Sequence, residues 1–254
     1  MASTTYDPQT KLASVQPGGH WQEVYDTLAP YGVVVTGGRA GSVGTGGFVT
    51  GGGNSFHSAS HGFACDNVAN FEVVLGDGRI VNANAHENAD LWHAMKGSSA
   101  NLGLVTRFDM YAIDFPDPKN PVIWGGNLIY DTSAGPGVID ALVEFTDNVQ
   151  NDENSSSIVY WAYIPAIGGM ILNAALENSL ATVAPPAFDP YYNAGNVTDD
   201  TTKVALMSVV TTELASGQPA GFRYVVYNTL LWLAKTMMLT HVRLKQQHLV
   251  RLSL

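Results

Sequence analysis

The chain is poor in several things, and each shortage excludes a class of protein. It has one cysteine, Cys65, so neither an internal disulfide framework nor a CxxC metal site can be built. A lone cysteine of this kind reads as a small buried apolar residue. Basic residues are few: 12 Lys and Arg stand against 22 Asp and Glu, a formal charge of −10. No basic cluster offsets that field, so duplex nucleic acid and anionic membrane surfaces are not expected partners. Long hydrophobic runs are missing. The best, "TLLWLAKTMMLTHV" from Thr229, is short and carries Lys235, below what a membrane span needs. The opening "MASTTYDPQTKLASV" lacks the apolar stretch of a secretory signal. Two glycosylation sequons, Asn154-Ser155-Ser156 and Asn196-Val197-Thr198, point the other way, toward a secreted ancestry. Localisation is therefore left open.

What is abundant is apolar matter, 46% of 254 residues, enough for one large domain or two modest ones. "GGHWQEVYDTLAPYG" predicts a helix with Trp21, Val24, Tyr25 and Leu28 on one face, stopped by Pro30 and Gly32. "VVVT" from Val33 predicts a short apolar strand. Phe71–Leu75 and Arg79–Ala83 predict a hairpin around Gly76-Asp77-Gly78. "ENADLWHAMKG" predicts a helix capped by Asn88 and closed by Gly97, and a strand starts at Leu104. Three prolines in Asp114–Pro121 suggest a linker. Beyond it come the strand "VIWGGNLIY", a helix with Val138, Leu142, Phe145 and Val149 on one stripe, and strands at "SIVYWAYI" and "GGMILNAALE". "APPAFDPYYNAG" reads as a loop. Leu233–Leu252 reads as a helix with a solvated basic face from Lys235, Arg243, Lys245 and Arg251.

The densest signal is "TGGRAGSVGTGGFVTGGGNSF", Thr36–Phe56, with nine glycines. Glycine loses more backbone entropy on folding than any other residue, so this concentration requires a reason. A flexible linker is polar and Ser-rich, whereas Val43, Phe48, Val49 and Phe56 interleave here. No Gly-Lys-Ser/Thr ends the segment, so it is not a Walker loop. Gly44-Thr45-Gly46 begins a dinucleotide fingerprint, but Val49 holds the third glycine position. No G-x-S-x-G nucleophile elbow occurs. Two readings stay open: a backbone whose N–H groups cradle a flat or anionic ligand, and a tightly packed structural loop.

Five patterns run in order through this segment and beyond it. They are G-x-G-G-x-x-x-G-G-G at Gly44–Gly53, H-G-x-A-x-D-N-V at His61–Val68, V-x-A-N at Val81–Asn84, D-L-W-x-A-x-x-G at Asp90–Gly97, and N-x-G-x-V-T-x-F at Asn101–Phe108. This series resembles the flavin domain of FAD-linked oxidases of the vanillyl-alcohol oxidase superfamily, in its berberine-bridge-enzyme-like branch. The resemblance implies an α+β fold: part of a PCMH-type FAD-binding domain over residues 1–115, then part of a substrate domain with an antiparallel sheet over 116–254. It implies FAD contacts from Val43, Gly44, Gly46, Gly47, Phe48, Gly51, Gly52, Gly53, His61, Asp66, Asn67, Val68, Ile80 and Val81. The implied reaction is oxidation of an alcohol, sugar or similar carbon. Hydride passes to flavin N5 and dioxygen reoxidises the flavin, which carries the difficult chemistry. The partners implied are a small-molecule substrate and dioxygen.

The departures from the pattern matter too. Relatives carry an N-terminal subdomain with a phosphate loop and a flavin-linking histidine, and that region precedes the point where this chain begins. Ala40 stands where some relatives place a second linking cysteine, so any FAD is expected to be held non-covalently. The usual three-glycine run is Gly97-Ser98-Ser99 here. No catalytic base is identified, because the family's tyrosine base lies beyond Leu254. A non-catalytic fragment or ligand-binding remnant is the alternative reading.

Several residues carry two readings. His61 is a flavin contact or a packed histidine, and Asp66 shapes the flavin groove or caps a turn. Arg39 approaches a phosphate or is solvated. Tyr130, Tyr160 and Trp161 line a pocket or pack a core. His57 and His61 have helical ligand spacing, yet they sit in a glycine-rich stretch with no helical pattern, so no metal site is expected. His93 reads as a helix-face residue.

Overall fold

The computed structural model describes residues 1–164 and 168–216; the expected basic helix at Leu233–Leu252 and the apolar run from Thr229 lie outside the described residues. The first part of the chain builds a five-stranded antiparallel sheet in the order β1-β2-β6-β4-β5. Its strands are β1 (Thr4–Asp7), β2 (Leu12–Val15), β4 (Val68–Val74), β5 (Ile80–Asn84) and β6 (Leu104–Tyr111). β4 and β5 form the expected hairpin, with Phe71 opposite Ala83 and Val74 opposite Ile80. The short strand β3 (Val33–Val34) pairs with β7 (Ile113–Asp114).

Helix α1 (Trp21–Leu28) buries all four residues the spacing predicts: Trp21, Val24, Tyr25 and Leu28. Its Glu23 carboxylate accepts the His20 N–H at 3.0 Å, closing the first turn. With Phe71, Phe108, Met110 and Val15 these side chains form the first core. Each such large side chain contributes about 1.5–3 kcal/mol on burial. Helix α4 (Ala89–Met95) follows Asn88, but the cap differs from expectation. Asn88 sits in the left-handed region and its side chain donates to the Asn82 carbonyl at 2.7 Å, so it ties the helix to β5 rather than capping it.

Beyond the proline-rich segment, β8 (Val122–Tyr130), β9 (Ser155–Ile164), β10 (Gly169–Asn178) and β11 (Val197–Asp200) form a second antiparallel sheet, ordered β11-β8-β10-β9, with β12 (Lys203–Leu206) also on β8. Helix α5 (Gly135–Asp147) covers one face. Val138 is buried and Leu142 and Phe145 pack on the second core, but Val149 falls past the helix end and is exposed. The expected loop "APPAFDPYYNAG" contains a 3₁₀ turn, Pro186–Phe188, and a short helix α6 (Asp189–Tyr192). Prolines at the first helical positions start both turns. Phe188 stacks between Trp124 and Phe145, each with ring centroids 5.6 Å away, and is fully buried. Burial of Phe188 and Tyr191 overrides the loop-like composition.

The two cores are not strictly divided by the prolines. Ile123, Met207 and Val210 join the first core. Helix α7 (Met207–Ser216) packs against α1, and the Thr211 carbonyl accepts the Gly41 N–H at 2.9 Å. No helix among the described residues is long and apolar enough to cross a membrane.

Candidate flavin site

The glycine segment is less loop-like than its composition. It holds a helix, α2 (Thr45–Thr50), and a further helical turn, α3 (Ser58–His61), follows. Tertiary anchors explain how so glycine-rich a stretch turns helical. Thr45 donates its N–H to the Gly19 carbonyl at 3.0 Å and its hydroxyl to the Gln16 carbonyl at 2.9 Å. The Gly46 N–H reaches the Pro17 carbonyl at 3.2 Å. Six N–H groups of this segment bond inside the protein, those of Gly41, Val43, Thr45, Gly46, Gly51 and Gly52. At these positions the fold itself satisfies the backbone donors, as the packed-loop reading expects.

What the glycines do can be sorted by what a Cβ would strike. At Gly37 and Gly38 it would run into the Trp21 indole, and at Gly37 also into the Tyr25 hydroxyl. These two let the chain lie flat on a buried aromatic pair. The Tyr25 hydroxyl, fully enclosed, donates to the Gly38 carbonyl at 2.8 Å. Gly53, at φ +79°, would place a Cβ 2.6 Å from the Phe48 ring and 2.8 Å from the Ala64 methyl. Packing or backbone geometry thus requires glycine at these positions. Gly44 and Gly47 are different. A Cβ at Gly47 meets nothing within 4 Å, and at Gly44 only the Gly19 carbonyl at 4.0 Å. Neither has positive φ, and both are exposed. Among the described residues nothing requires glycine there.

The structure draws the first two motifs together. The Cys65 N–H donates to the Gly52 carbonyl at 2.9 Å and the Ala64 N–H to the Gly53 carbonyl at 2.8 Å. Phe48 meets Trp21 edge-on, 5.3 Å between centroids. Val43 is exposed beside Gly44, and its carbonyl accepts the Trp21 N–H at 3.1 Å. Asp66 is exposed and caps a turn by accepting the Phe63 N–H at 3.1 Å. Asn67 is buried; its amide donates to the His61 and Phe63 carbonyls at 2.8 and 2.9 Å, clamping the loop. Val68 is fully buried in the first core, and its carbonyl accepts the Trp92 indole N–H at 2.9 Å. Ile80 is exposed on the edge strand β5, where Val81 packs against the first core. These two sit in the hairpin register with Val74 and Val73, and no hydrogen bond joins them to the glycine segment.

His61 is exposed, with its Nδ1 2.8 Å from the Ser60 hydroxyl. His57 and His61 do share a helical turn, but their rings meet edge-on at 5.9 Å. His57 is almost wholly buried, and burial with the neighbouring His61 lowers its pKa to about 4. Its Nε2 has no hydrogen-bond partner. The Trp21 Nε1 and Thr36 hydroxyl are also buried and unpartnered. Such orphans are few in folded proteins and mark places where another group completes the bonding. The glycine spacing carried no sign of them. Cys65 is buried and free.

In the second sheet, Tyr130 is a core residue whose hydroxyl donates to the Tyr191 carbonyl at 3.0 Å. Trp161 packs against the same core, and Tyr160 stands on the opposite face, half-buried. Arg39 is half-buried: burial lowers its pKa, and the charge of Glu177 opposes that. Glu177, fully buried in β10, went unnoticed in the sequence because "AALEN" looks like ordinary strand-end polarity.

A family model described as "FAD binding domain" matches residues 2–84. The chain is 39% identical over 208 residues to the FAD-dependent monooxygenase drtC of Aspergillus calidoustus, covering 82% of this chain and 39% of that protein. It is 38% identical over 229 residues to the FAD-dependent monooxygenase sdcF of Emericella nidulans, covering 89% of this chain and 46% of that one. The chain thus spans less than half the length of these curated relatives. Among solved structures, the carbohydrate oxidase from Microdochium nivale aligns with a TM-score of 0.63 at 25% identity, over 82% of this chain and 44% of that one. The 6-hydroxy-D-nicotine oxidase from Arthrobacter nicotinovorans shares the fold with a TM-score of 0.71 at 17% identity, over 87% and 48%. Its matched FAD-binding segment, its FAD-dependent relatives and its mixed α+β fold agree with the resemblance that its ordered motifs carry to FAD-linked oxidoreductases of the vanillyl-alcohol oxidase and berberine-bridge-enzyme-like family.

Proposed function

We propose that the chain supplies one wall of an FAD site in an oxidoreductase that oxidises an alcohol, sugar or similar carbon of a small molecule, with dioxygen as the final electron acceptor. One observation carries the reading: Gly44 and Gly47 are exposed glycines that neither backbone geometry nor internal packing requires. A surface kept free of Cβ atoms, next to the exposed Val43 and the Phe48 ring, suits a flat ligand lying close to backbone. These features fit FAD, with Val43, Gly44, Gly47, Phe48 and Gly52 as its closest contacts. Bound there, the flavin supplies the two-electron redox chemistry, and the chain's part is to hold and orient it.

Ala40 has no nucleophilic side chain, and Cys65 is buried away behind Gly52. FAD is therefore held without a covalent bond from this segment. The test is the visible absorbance of FAD-loaded protein after removal of free FAD, then after acid precipitation. Yellow colour that travels with the protein and is released by acid is the expected result. Protein that retains no FAD would defeat the flavin reading, and colour that stays in the acid pellet would defeat the non-covalent one.

A further inference from the structure

Two glycosylation sequons flank the second sheet, and the flavin site uses neither. Asn154-Ser155-Ser156 leads into β9, and Asn196-Val197-Thr198 leads into β11. A sequon supplies an acceptor amide and a hydroxyl two residues on. The glycan it receives is bulky and solvated, so the asparagine must face water in the folded protein. Both motifs meet the first condition, and the fold decides the second.

Asn154 sits in a closed turn and is half-buried. Its N–H donates to the Asp152 carboxylate at 3.1 Å, and its carbonyl accepts the Ser179 N–H at 2.9 Å. Its side-chain oxygen accepts the Ser179 hydroxyl at 3.4 Å. Ser155 is buried; its hydroxyl donates to Asp152 at 2.7 Å and accepts the Asn178 amide at 3.0 Å. A glycan on Asn154 would pull it off Ser179 and strain the end of the β9–β10 pair, where Ser155 stands opposite Asn178.

Asn196 is the opposite case. It is exposed, and among the described residues no hydrogen bond holds its side-chain amide. Its backbone is fixed from the inner side. The Asn196 carbonyl accepts the Asp131 N–H at 3.1 Å. Gly195 lies against Ala134, where a Cβ would come 2.6 Å from the methyl group. Val197 stands opposite Tyr130, and the Thr198 hydroxyl donates to the Ile129 carbonyl at 3.0 Å. Among the described residues β11 is the outermost strand on its side of the sheet, so no strand lies beyond it. The sequon hydroxyls of Ser156 and Thr198 are both bonded in the folded chain. Sugar transfer therefore precedes folding, and the fold then has to accommodate the product.

We propose that Asn196 is the N-glycan acceptor of this chain and that Asn154 carries no glycan in the folded protein. The donor is a polyprenyl pyrophosphate-linked oligosaccharide. The Asn196 amide nitrogen bonds the anomeric carbon of the first sugar, the carbon–oxygen bond to the pyrophosphate breaks, and the amide gives up one proton. The proposal does not rest on the flavin reading.

The full chain is produced behind an export leader in a eukaryotic secretory host, and soluble protein is recovered from the lumen and the medium. An amidase that releases N-glycans is applied in heavy-oxygen water, which turns each glycan-bearing asparagine into a labelled aspartate. Mass spectrometry then reads both sites. The expected result is label at Asn196 and none at Asn154. Thr198→Val keeps the acceptor amide but removes the hydroxyl, and it should abolish the label and the matching gel shift. Asn154→Gln should leave both intact. Unlabelled Asn196 would overturn the proposal, as would label at Asn154 in the soluble protein. Retention or loss of FAD bears on neither outcome.

Discussion

Replacing Gly47 by leucine separates a ligand role from a packing role. Gly47 lies inside α2, and a Cβ there meets no atom within 4 Å. Leucine and alanine are both strong helix formers, and glycine in a helix interior costs about 0.8–1.0 kcal/mol relative to alanine. If glycine serves only the fold, the leucine variant gains stability by about that amount. If the bare backbone serves FAD, the added side chain intrudes on the ligand and weakens binding by tenfold or more, about 1.4 kcal/mol. The two effects have opposite signs, so they cannot be confused. Urea unfolding of the FAD-free protein reads the first, and quenching of FAD fluorescence reads the second. The expectation is a variant that is more stable without FAD yet binds it more weakly. A variant that keeps wild-type FAD affinity would refute the reasoning, since it would mean that the exposed glycine faces nothing.

Three further outcomes follow from the structure. Burial pushes the Glu177 carboxyl from 4.5 up to about 7, against the pull of Arg39 and Ser156. A raised acid pKa costs nothing below the unfolded value and its full amount above the folded one, here about 3 kcal/mol. Glu177→Gln should therefore match the wild type near pH 4 and exceed it by about 3 kcal/mol at pH 8, measured by denaturant midpoints; a pH-independent difference would contradict this. Gly38→Ala puts a methyl 2.5 Å from the buried Trp21 ring, and overpacking of this kind costs about 1–3 kcal/mol, visible as a lowered thermal midpoint. On the outer face of the first sheet, Arg107 donates to Asp109 at 2.8 and 3.1 Å and to Glu72 at 2.8 Å. Burial alone would raise the Asp109 pKa, but bonds from Arg107, Ser14 and Asn70 outweigh it and hold it low. Arg107→Met should cost about 1–2 kcal/mol at neutral pH. The wild-type advantage should fade as pH falls through the depressed Asp109 value, and acid unfolding curves of both proteins check it.

Local pattern was enough for much of this molecule. The stripe Trp21, Val24, Tyr25, Leu28 sets α1 because four apolar side chains at helical spacing have one way to be buried together. Gly76-Asp77-Gly78 sets the β4–β5 hairpin because few other residues close so tight a turn. The ordered motifs were enough to carry the resemblance to flavin-binding oxidoreductases, and a matched FAD-binding segment agrees with it. Tertiary structure alone decided the rest. Threonine anchors at Gln16 and Gly19, distant in sequence, make Thr45–Thr50 helical despite its glycines. Aromatic burial turns the proline-rich stretch around Phe188 into core. The glycines look alike in one dimension. Only in three do Gly37 and Gly38 resolve as seats for Trp21, and Gly44 and Gly47 as bare backbone facing outward. Likewise the burial of Glu177, with one carboxylate oxygen unpartnered, follows from its place on the central strand between β8 and β9, a matter of long-range pairing that no local spacing encodes.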